Sequence, residues 1–406
     1  MIISEISVKK IFMKYNHMKN IILTALLLFV GYFSFGQDKN SKYDFNGYIT
    51  NMQSVMFQDV GGDWVNDNLL HNRLNFNWYP NDAITASLQV RNRFFTGETL
   101  KFTPDYDKQL EKDNGFFGLT ANLINKKSCI LNSSIDRLWL KYSIGDFEAT
   151  IGRQRINWGQ TFVWNPNDIF NAYSFFDFDY IERPGSDAVH IQYYTGVASS
   201  IELATKLNSD SKTTVAALYK FNKISYDFQF LAGILDDSVY VAGAGWSGSI
   251  GNAGFRGEIS YFIPQDNNVD SKQLLSSIGF DYTFKNSLMV QTEFLFTDNT
   301  DNINFTDFEQ YYSQTLNVRS LAFTKYTFFA QISYPITPLF NATISSMYFP
   351  NLKGFYAGPS LTYSLKDNLD LSAFVQYFNA ELTNNATMQT ERQEFTMAFL
   401  KMKLNF

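Results

Sequence analysis

Met397-Ala398-Phe399-Leu400-Lys401-Met402-Lys403-Leu404-Asn405-Phe406 is the stretch on which the fold turns. Ala398, Leu400, Met402, Leu404 and Phe406 recur at every second position, with Lys401, Lys403 and Asn405 between them. Successive side chains of a strand point to opposite faces, so this segment predicts a strand with one apolar and one charged face, lying between two different solvents. The edge strand of a soluble sheet shares that pattern. The rest of the chain has to separate the two.

At the other end, Ile21 to Val30 is apolar apart from Thr24, with Lys14 and Lys19 before it and Ser34-Phe35-Gly36 after it. A basic flank, a short apolar core and small residues at the end predict a signal peptide over 1–36, cleaved before Gln37. The apolar core falls short of the roughly 20 residues a membrane-spanning helix needs. A start at Met18 gives the better proportioned signal, and the single exported domain expected is 37–406. No cysteine follows the cleavage point, so lipid attachment there is not expected.

Composition agrees with an exported barrel. Aromatic residues make up 17%, with 40 Phe and 24 Tyr, yet no long apolar run follows the signal segment. Transmembrane strands hide their apolar content by alternation, which reconciles the two facts. Proline is sparse at 9, and no linker divides the chain. The single cysteine, Cys129, has no internal disulfide partner and reads as an incidental residue of a long loop. The net charge of −6 becomes about −9 once the lysine-rich signal region is removed, which argues against nucleic acid as a partner.

Period-2 segments bounded by turn residues number eighteen, near 43–57, 68–79, 82–95, 133–144, 146–156, 187–195, 198–207, 213–222, 225–235, 238–249, 252–263, 271–284, 287–298, 319–334, 338–349, 354–365, 368–379 and 391–406. In 82–95, for example, Ile84, Ala86, Leu88 and Val90 oppose Ser87, Gln89, Arg91 and Arg93. Every second connection is a tight turn, such as Pro80-Asn81, Gly145-Asp146 and Lys366-Asp367. All the long stretches, 58–67, 96–132, 157–186, 264–270, 299–318 and 380–390, fall among the others. A soluble sandwich has no reason to keep that parity. An outer-membrane barrel does, with short periplasmic turns and long surface loops. The chain therefore reads as all-β, a transmembrane antiparallel up-and-down barrel of about 18 strands, with 16 as the nearest other count and both termini in the periplasm.

Two stretches carry a family resemblance. An alternating last strand that stops on an aromatic residue, Phe406, resembles the carboxy-terminal signal by which the barrel assembly machinery recognises Gram-negative outer-membrane barrels. Ile151-Gly152-Arg153-Gln154-Arg155-Ile156-Asn157-Trp158-Gly159, at a strand end leading into a long aromatic loop, resembles porin-like barrels related to alginate-export-type channels. That resemblance implies a barrel of about 18 strands passing anionic polysaccharide or small solutes through an arginine-rich lumen. The wall here is not plainly arginine-dense, so the resemblance does not extend to alginate itself.

Barrels of 16 to 18 strands leave an aqueous channel, so function turns on what narrows it. The loop from Asn157 to Arg183 carries Trp158, Phe162, Trp164, Phe170, Tyr173, Phe175, Phe176, Phe178 and Tyr180. So much apolar area requires a partner surface, and the barrel interior is the expected one, which would make 157–186 the constriction. The other reading packs it outside, against 96–132. Asn165-Pro166-Asn167-Asp168 predicts a turn that seeds a short helix. The basic side of the constriction is read as Arg91, Arg93, Arg137 and Lys141, joined by Arg153 and Arg155 if a bulge at Gly152 turns them inward. Asp168, Asp179 and Glu182 form the acidic side, with Trp158, Trp164 and Arg183 on the same loop. At the outer rim these cations would instead bind lipopolysaccharide phosphates or pair with loop carboxylates.

Other chemistry is thin. The mature chain has two histidines, His71 and His190, no metal-ligand spacing and no nucleophile motif, so no catalysis, metal or cofactor is expected. The acidic loop groups Asp59/Asp63/Asp67 and Asp298/Asp301/Asp307/Glu309 read as solvated loops. The expected function is an outer-membrane porin-like channel for diffusion or facilitated uptake of small hydrophilic solutes, anionic ones among them. Its partners are outer-membrane lipid, lipopolysaccharide, the assembly machinery and a possible second copy of itself. A polysaccharide or capsule-associated exporter, an envelope scaffold and a hydrophobic-substrate transporter are the alternatives.

Overall fold

The computed structural model describes residues 41–58, 60–173, 175–176, 182–266, 271–300, 317–321, 324–383 and 390–406. The signal peptide expected at 1–36, with its alternative start at Met18, lies outside the described residues.

Nineteen strands are described: β1 (Tyr43–Phe57), β2 (Val65–Asn81), β3 (Ile84–Gly97), β4 (Thr120–Lys126), β5 (Cys129–Ile144), β6 (Phe147–Gln154), β7 (Ser186–Gly196), β8 (Ser199–Leu207), β9 (Thr213–Lys223) and β10 (Tyr226–Leu235). Then come β11 (Val239–Ile250), β12 (Ala253–Pro264), β13 (Gln273–Thr283), β14 (Met289–Thr297), β15 (Tyr326–Thr337), β16 (Phe340–Phe349), β17 (Gly354–Lys366), β18 (Leu369–Thr383) and β19 (Thr390–Asn405). Each wall strand pairs antiparallel with its sequence neighbours, and β1 closes the ring by pairing with both β2 and β19. The seam runs to the last residue, where Gly47 and Phe406 exchange backbone hydrogen bonds of 2.9 and 3.0 Å. Closure matters because lipid offers no hydrogen bonds to an open edge.

β4 stands outside this count. It lies beside the outer half of β5, from Thr120 opposite Ser134 to Lys126 opposite Cys129, while β6 takes the inner half of the same β5 edge. Strand β3 spans both halves on the other edge. The wall therefore has 18 strands, all of them legible as alternation, and the long connections do share one rim. The sequence reading missed β4, a strand folded from the stretch 96–132, and it placed Cys129 in that loop where β5 begins. It also started one strand at 319, where Val318–Ser320 instead forms a single 3-10 turn. Asn317 caps that turn by accepting from the Arg319 and Ser320 amides, and the strand begins only at Tyr326.

The two faces follow the alternation. On β19, Leu400, Met402, Leu404 and Phe406 are exposed to the outside of the barrel, and Lys401, Lys403 and Asn405 turn inward. Outward aromatics sit near both rims: Trp78, Tyr142, Tyr193, Tyr334 and Tyr363 toward the short turns, Tyr240, Tyr261, Tyr326 and Tyr348 toward the long loops. Such rings suit the membrane–water boundary. Leu400 is 52% exposed and pairs across the wall with Gln53 and Ala373 near mid-strand. Leu400→Arg should therefore destabilise the barrel by about 2–4 kcal/mol, the range for a cation at mid-bilayer. Lys401→Arg, one residue along and facing inward, should leave the unfolding midpoint in lipid vesicles unchanged.

Candidate functional site

Between β6 and β7, the described residues of 155–185 pack against inward side chains of the wall. Trp158 is 1% exposed, and Ile156, Trp164, Ile169, Phe170 and Phe176 are buried with it. They form one cluster with inward residues of the wall, among them Phe262, Leu275, Leu295, Phe329, Tyr356 and Phe378. Trp164 meets Phe329 edge-on at 6.3 Å between ring centres, and Phe176 lies 5.1 Å from Phe378. These edge contacts suit the ring quadrupoles. Apolar side chains that face a lumen would otherwise border water, so the loop and wall bury each other.

Polar contacts fix the loop's height. The Trp158 indole donates to Glu202 Oε2 at 2.8 Å, and Gln229 Nε2 donates to the Trp158 carbonyl at 2.7 Å. Glu202 also holds His190 at 3.0 Å and Lys220 at 3.1 Å, which places His190 on the lumenal side as its strand parity requires. Glu258 accepts the amides of Gln160, Thr161 and Asn167. Glu293 accepts those of Phe162, Val163 and Trp164 at 2.8–3.0 Å. The turn at Asn165 forms, with the Asp168 amide donating to the Asn165 carbonyl at 3.0 Å. No helix follows it. The preceding amides are already held by wall carboxylates, and the Ile169 amide turns back to the Asn167 carbonyl at 2.9 Å. Two glycines of β11 make room here: a Cβ on Gly243 would meet Asn167 Oδ1 at 2.6 Å, and one on Gly245 would meet Asn167 Nδ2 at 3.0 Å. Asn167 uses the space to donate to the Ala244 carbonyl at 2.9 Å.

Across the lumen lies the basic side. Arg91 and Arg93 occupy the inward phase of β3, as read. Arg91 Nε is 3.4 Å from Asp136 Oδ2, and Arg93 donates to Asn132 Oδ1 at 2.9 Å. Arg137, Trp139 and Lys141 share the inward phase of the lower half of β5. A bulge opposite Gln89 and Val90 shifts the register, so Asp136 and Arg137 both point inward. Arg137 forks onto the carbonyls of Glu182 and Arg183 at 2.9 and 2.8 Å and so ties down the far end of the inserted loop. Lys141 pairs with Glu148 at 3.5 Å.

Two residues of this cluster were missed. Arg73, 1% exposed on β2, pairs through Nη1 with Asp136 Oδ2 and donates to Gln89 Oε1 at 2.7 Å. Glu182 Oε2 lies 4.0 Å from the same Arg73 nitrogen. Arg73 shares a strand face with His71 and Asn75, so its inward phase could have been read. Asp136 could not, because its direction depends on a bulge that breaks the parity.

The bulge at Gly152 that would turn Arg153 inward does not form. β6 keeps unbroken register with both neighbours, which holds Arg153 in phase with the lipid-facing Ile151 and opposite Leu138 and Asp187. Gly152 instead takes a left-handed φ of +115°, with a would-be Cβ 2.2 Å from the Leu138 carbonyl oxygen. Rather than lining the lumen, Arg153 forms a buried staple: both oxygens of Asp187 at 2.8 Å, Asp113 Oδ2 at 2.8 Å and the Phe117 carbonyl at 2.6 Å. Burial works against the Asp113 charge, but Arg153 holds its carboxyl below the usual range.

Arg155 lies beyond the strand, donating to Asn157 Oδ1 at 3.1 Å. The Arg183 guanidinium lies over the Tyr173 ring at 3.1 Å, and Asp168 is fully buried nearby. Burial pushes the Asp168 carboxyl up to about 7, with Arg155, Arg183 and Lys206 pulling the other way. The same burial raises the Tyr173 phenol to about 12 against the pull of Arg183. Asp179 lies outside the described residues.

The same architecture is found in solved barrels. Acinetobacter baumannii OccAB4 aligns with a TM-score of 0.53 at 11% identity, over 91% of this chain and 100% of that one. Pseudomonas aeruginosa OccK11 (OpdR) aligns at 0.54 and 8% identity, over 90% and 96%. A. baumannii OccAB2 aligns at 0.54 and 12% identity, over 89% and 98%. The fold is that of the 18-stranded outer-membrane porins. No family model matches the sequence, and no curated protein matches it. At these identities the likeness carries the porin fold, and any solute has to be argued from the lumen of this chain.

Proposed function

We propose that the protein is an outer-membrane channel for diffusion or facilitated uptake of small hydrophilic solutes, with 157–186 as its constriction and a preference for anions. The observation that carries this reading is the loop bound inside the lumen, with Arg91, Arg93, Arg137 and Lys141 on the wall opposite the strands it packs against. Arg155 and Arg183 add positive charge on the loop, and Asp168 and Glu182 its acidic counterpart. Rings of charge of this kind bias ion passage. A loop that fills much of the bore favours small solutes over a polysaccharide.

The rest of the proposal concerns export and assembly. The chain is exported by the signal peptide at 1–36, inserted by the barrel assembly machinery through its last strand, and sits with both termini in the periplasm among lipid and lipopolysaccharide. Self-association as a homo-oligomer is compatible with an outward face of this kind. One observation favours a second reading, uptake of apolar solutes: Met52, Leu69, Phe95, Phe374 and Phe399 form a separate apolar patch on the inner wall.

Single-channel recording of refolded 37–406 in a planar bilayer under a salt gradient tests both. Stable steps with an anion-selective reversal potential support the proposal, and a cation-selective one removes the anion preference. A folded barrel that never conducts overturns the channel and leaves the apolar-solute reading.

A further inference from the structure

We propose that Glu258 and Glu293 are the latches that set the bore of the channel, an inference that rests on the channel reading above. Both carboxylates sit on the inward face of the wall, Glu258 on β12 and Glu293 on β14 with β13 between them, and both are buried. Five consecutive amides of the inserted loop, from Gln160 to Trp164, end on these two side chains. Such a run of converging N–H groups is a nest, the backbone form of an anion site. Here the anion is supplied by the wall.

The donor count is what makes the pair specific. An ionised carboxylate has about four acceptor sites and no donor. Glu258 receives three amides. Glu293 receives four donors: three amides and the Ser277 hydroxyl at 2.8 Å. Replacing one oxygen by an NH₂ group sets donor against donor at each site, in a place where water has little access to repair it. The apolar contacts of Trp164 and Phe170 remain in that case, but nothing then fixes their height in the lumen. Charge-assisted bonds from an ionised acceptor are roughly twice as strong as neutral ones, so carboxylates suit the task where amides do not.

The test compares wild type, Glu258→Gln/Glu293→Gln and Glu381→Gln, a rim carboxylate bound to Lys353 and Arg392. Folding is read from heat-modifiable gel mobility; if the double variant does not refold, each single variant carries the same comparison. The expected result is a conductance raised about twofold or more, with added open-channel noise, as the loop leaves the bore of an 18-stranded wall. Glu381→Gln should match wild type. A reversible tether supplies the second readout: Asn167→Cys with Ser260→Cys in a Cys129→Ser background, placed where Ser260 Oγ lies 2.7 Å from Asn167 Oδ1. Oxidation of that pair in the double variant should restore the wild-type conductance, and reduction should release it.

If wild type conducts and the Gln variants conduct identically, the latch is overturned and the channel stands. If wild type is silent and the Gln variants conduct, the latch is supported and the channel open at rest is overturned. If all are silent though folded, both fall.

Discussion

Replacing Gly159–Arg183 by a short Gly-Ser link should raise single-channel conductance several-fold and weaken whatever ion selectivity the intact barrel shows. The segment occupies space that an 18-stranded wall would leave to water. Trp164, Asn167, Asp168, Ile169 and Phe170 are all buried within that ring, so ions have to pass beside them rather than through them. Excision also removes Asp168, Glu182 and Arg183, and Arg137 loses the two carbonyls it holds. The variant exposes Phe262, Phe329, Tyr356 and Phe378 to the lumen, so it should bind an apolar dye and unfold at a lower temperature. A conductance equal to wild type, from a barrel of verified fold, would mean that current bypasses the loop and that 157–186 is not the constriction.

Asp136→Asn should be the most damaging single substitution on the opposite wall, costing about 3–5 kcal/mol by the usual price of breaking one partner out of a buried ion pair. Asp136 is 6% exposed and holds Arg73 and Arg91 together. Asparagine keeps the shape, but it leaves two neighbouring guanidinium groups without the shared negative charge. Arg73 keeps Gln89 and Asn75 as hydrogen-bond partners, which places the loss toward the low end of that range. Arg73→Gln combined with Asp136→Asn should recover part of it, since buried pairs are often replaceable as a unit. Urea unfolding in lipid vesicles measures the stability, and the reversal potential of the same variant should move toward anions. An unchanged unfolding curve would mean that lumenal water screens the cluster and that it contributes little to stability.

The two walls were legible to different degrees, and the difference is instructive. Alternation placed Arg91 and Arg93 on the inner face of unbroken β3, and Arg137 and Lys141 in phase on the stretch of β5 that follows its bulge. Arg73 was equally readable, in phase with His71 and Asn75, and was overlooked. Asp136 was not readable, because the bulge that turns it inward exists only as a register shift against β3. Arg153 shows the reverse case. Strict alternation puts it outward and the structure agrees, while the bulge invoked to bring it inward does not form.

By itself the sequence determined a closed barrel of about 18 strands, its inner and outer faces and the rim that carries the long loops. These are local properties: a period of two and a turn every ten or so residues survive in any window of the chain. It also marked 157–186 as a loop too aromatic to stand in water. Only the tertiary structure decided how that loop is held. Gln160 to Trp164 meet Glu258 and Glu293 across 97–131 residues of chain. Closing the ring is what brings a wall carboxylate within 3 Å of an amide so far away, and no periodicity encodes that meeting.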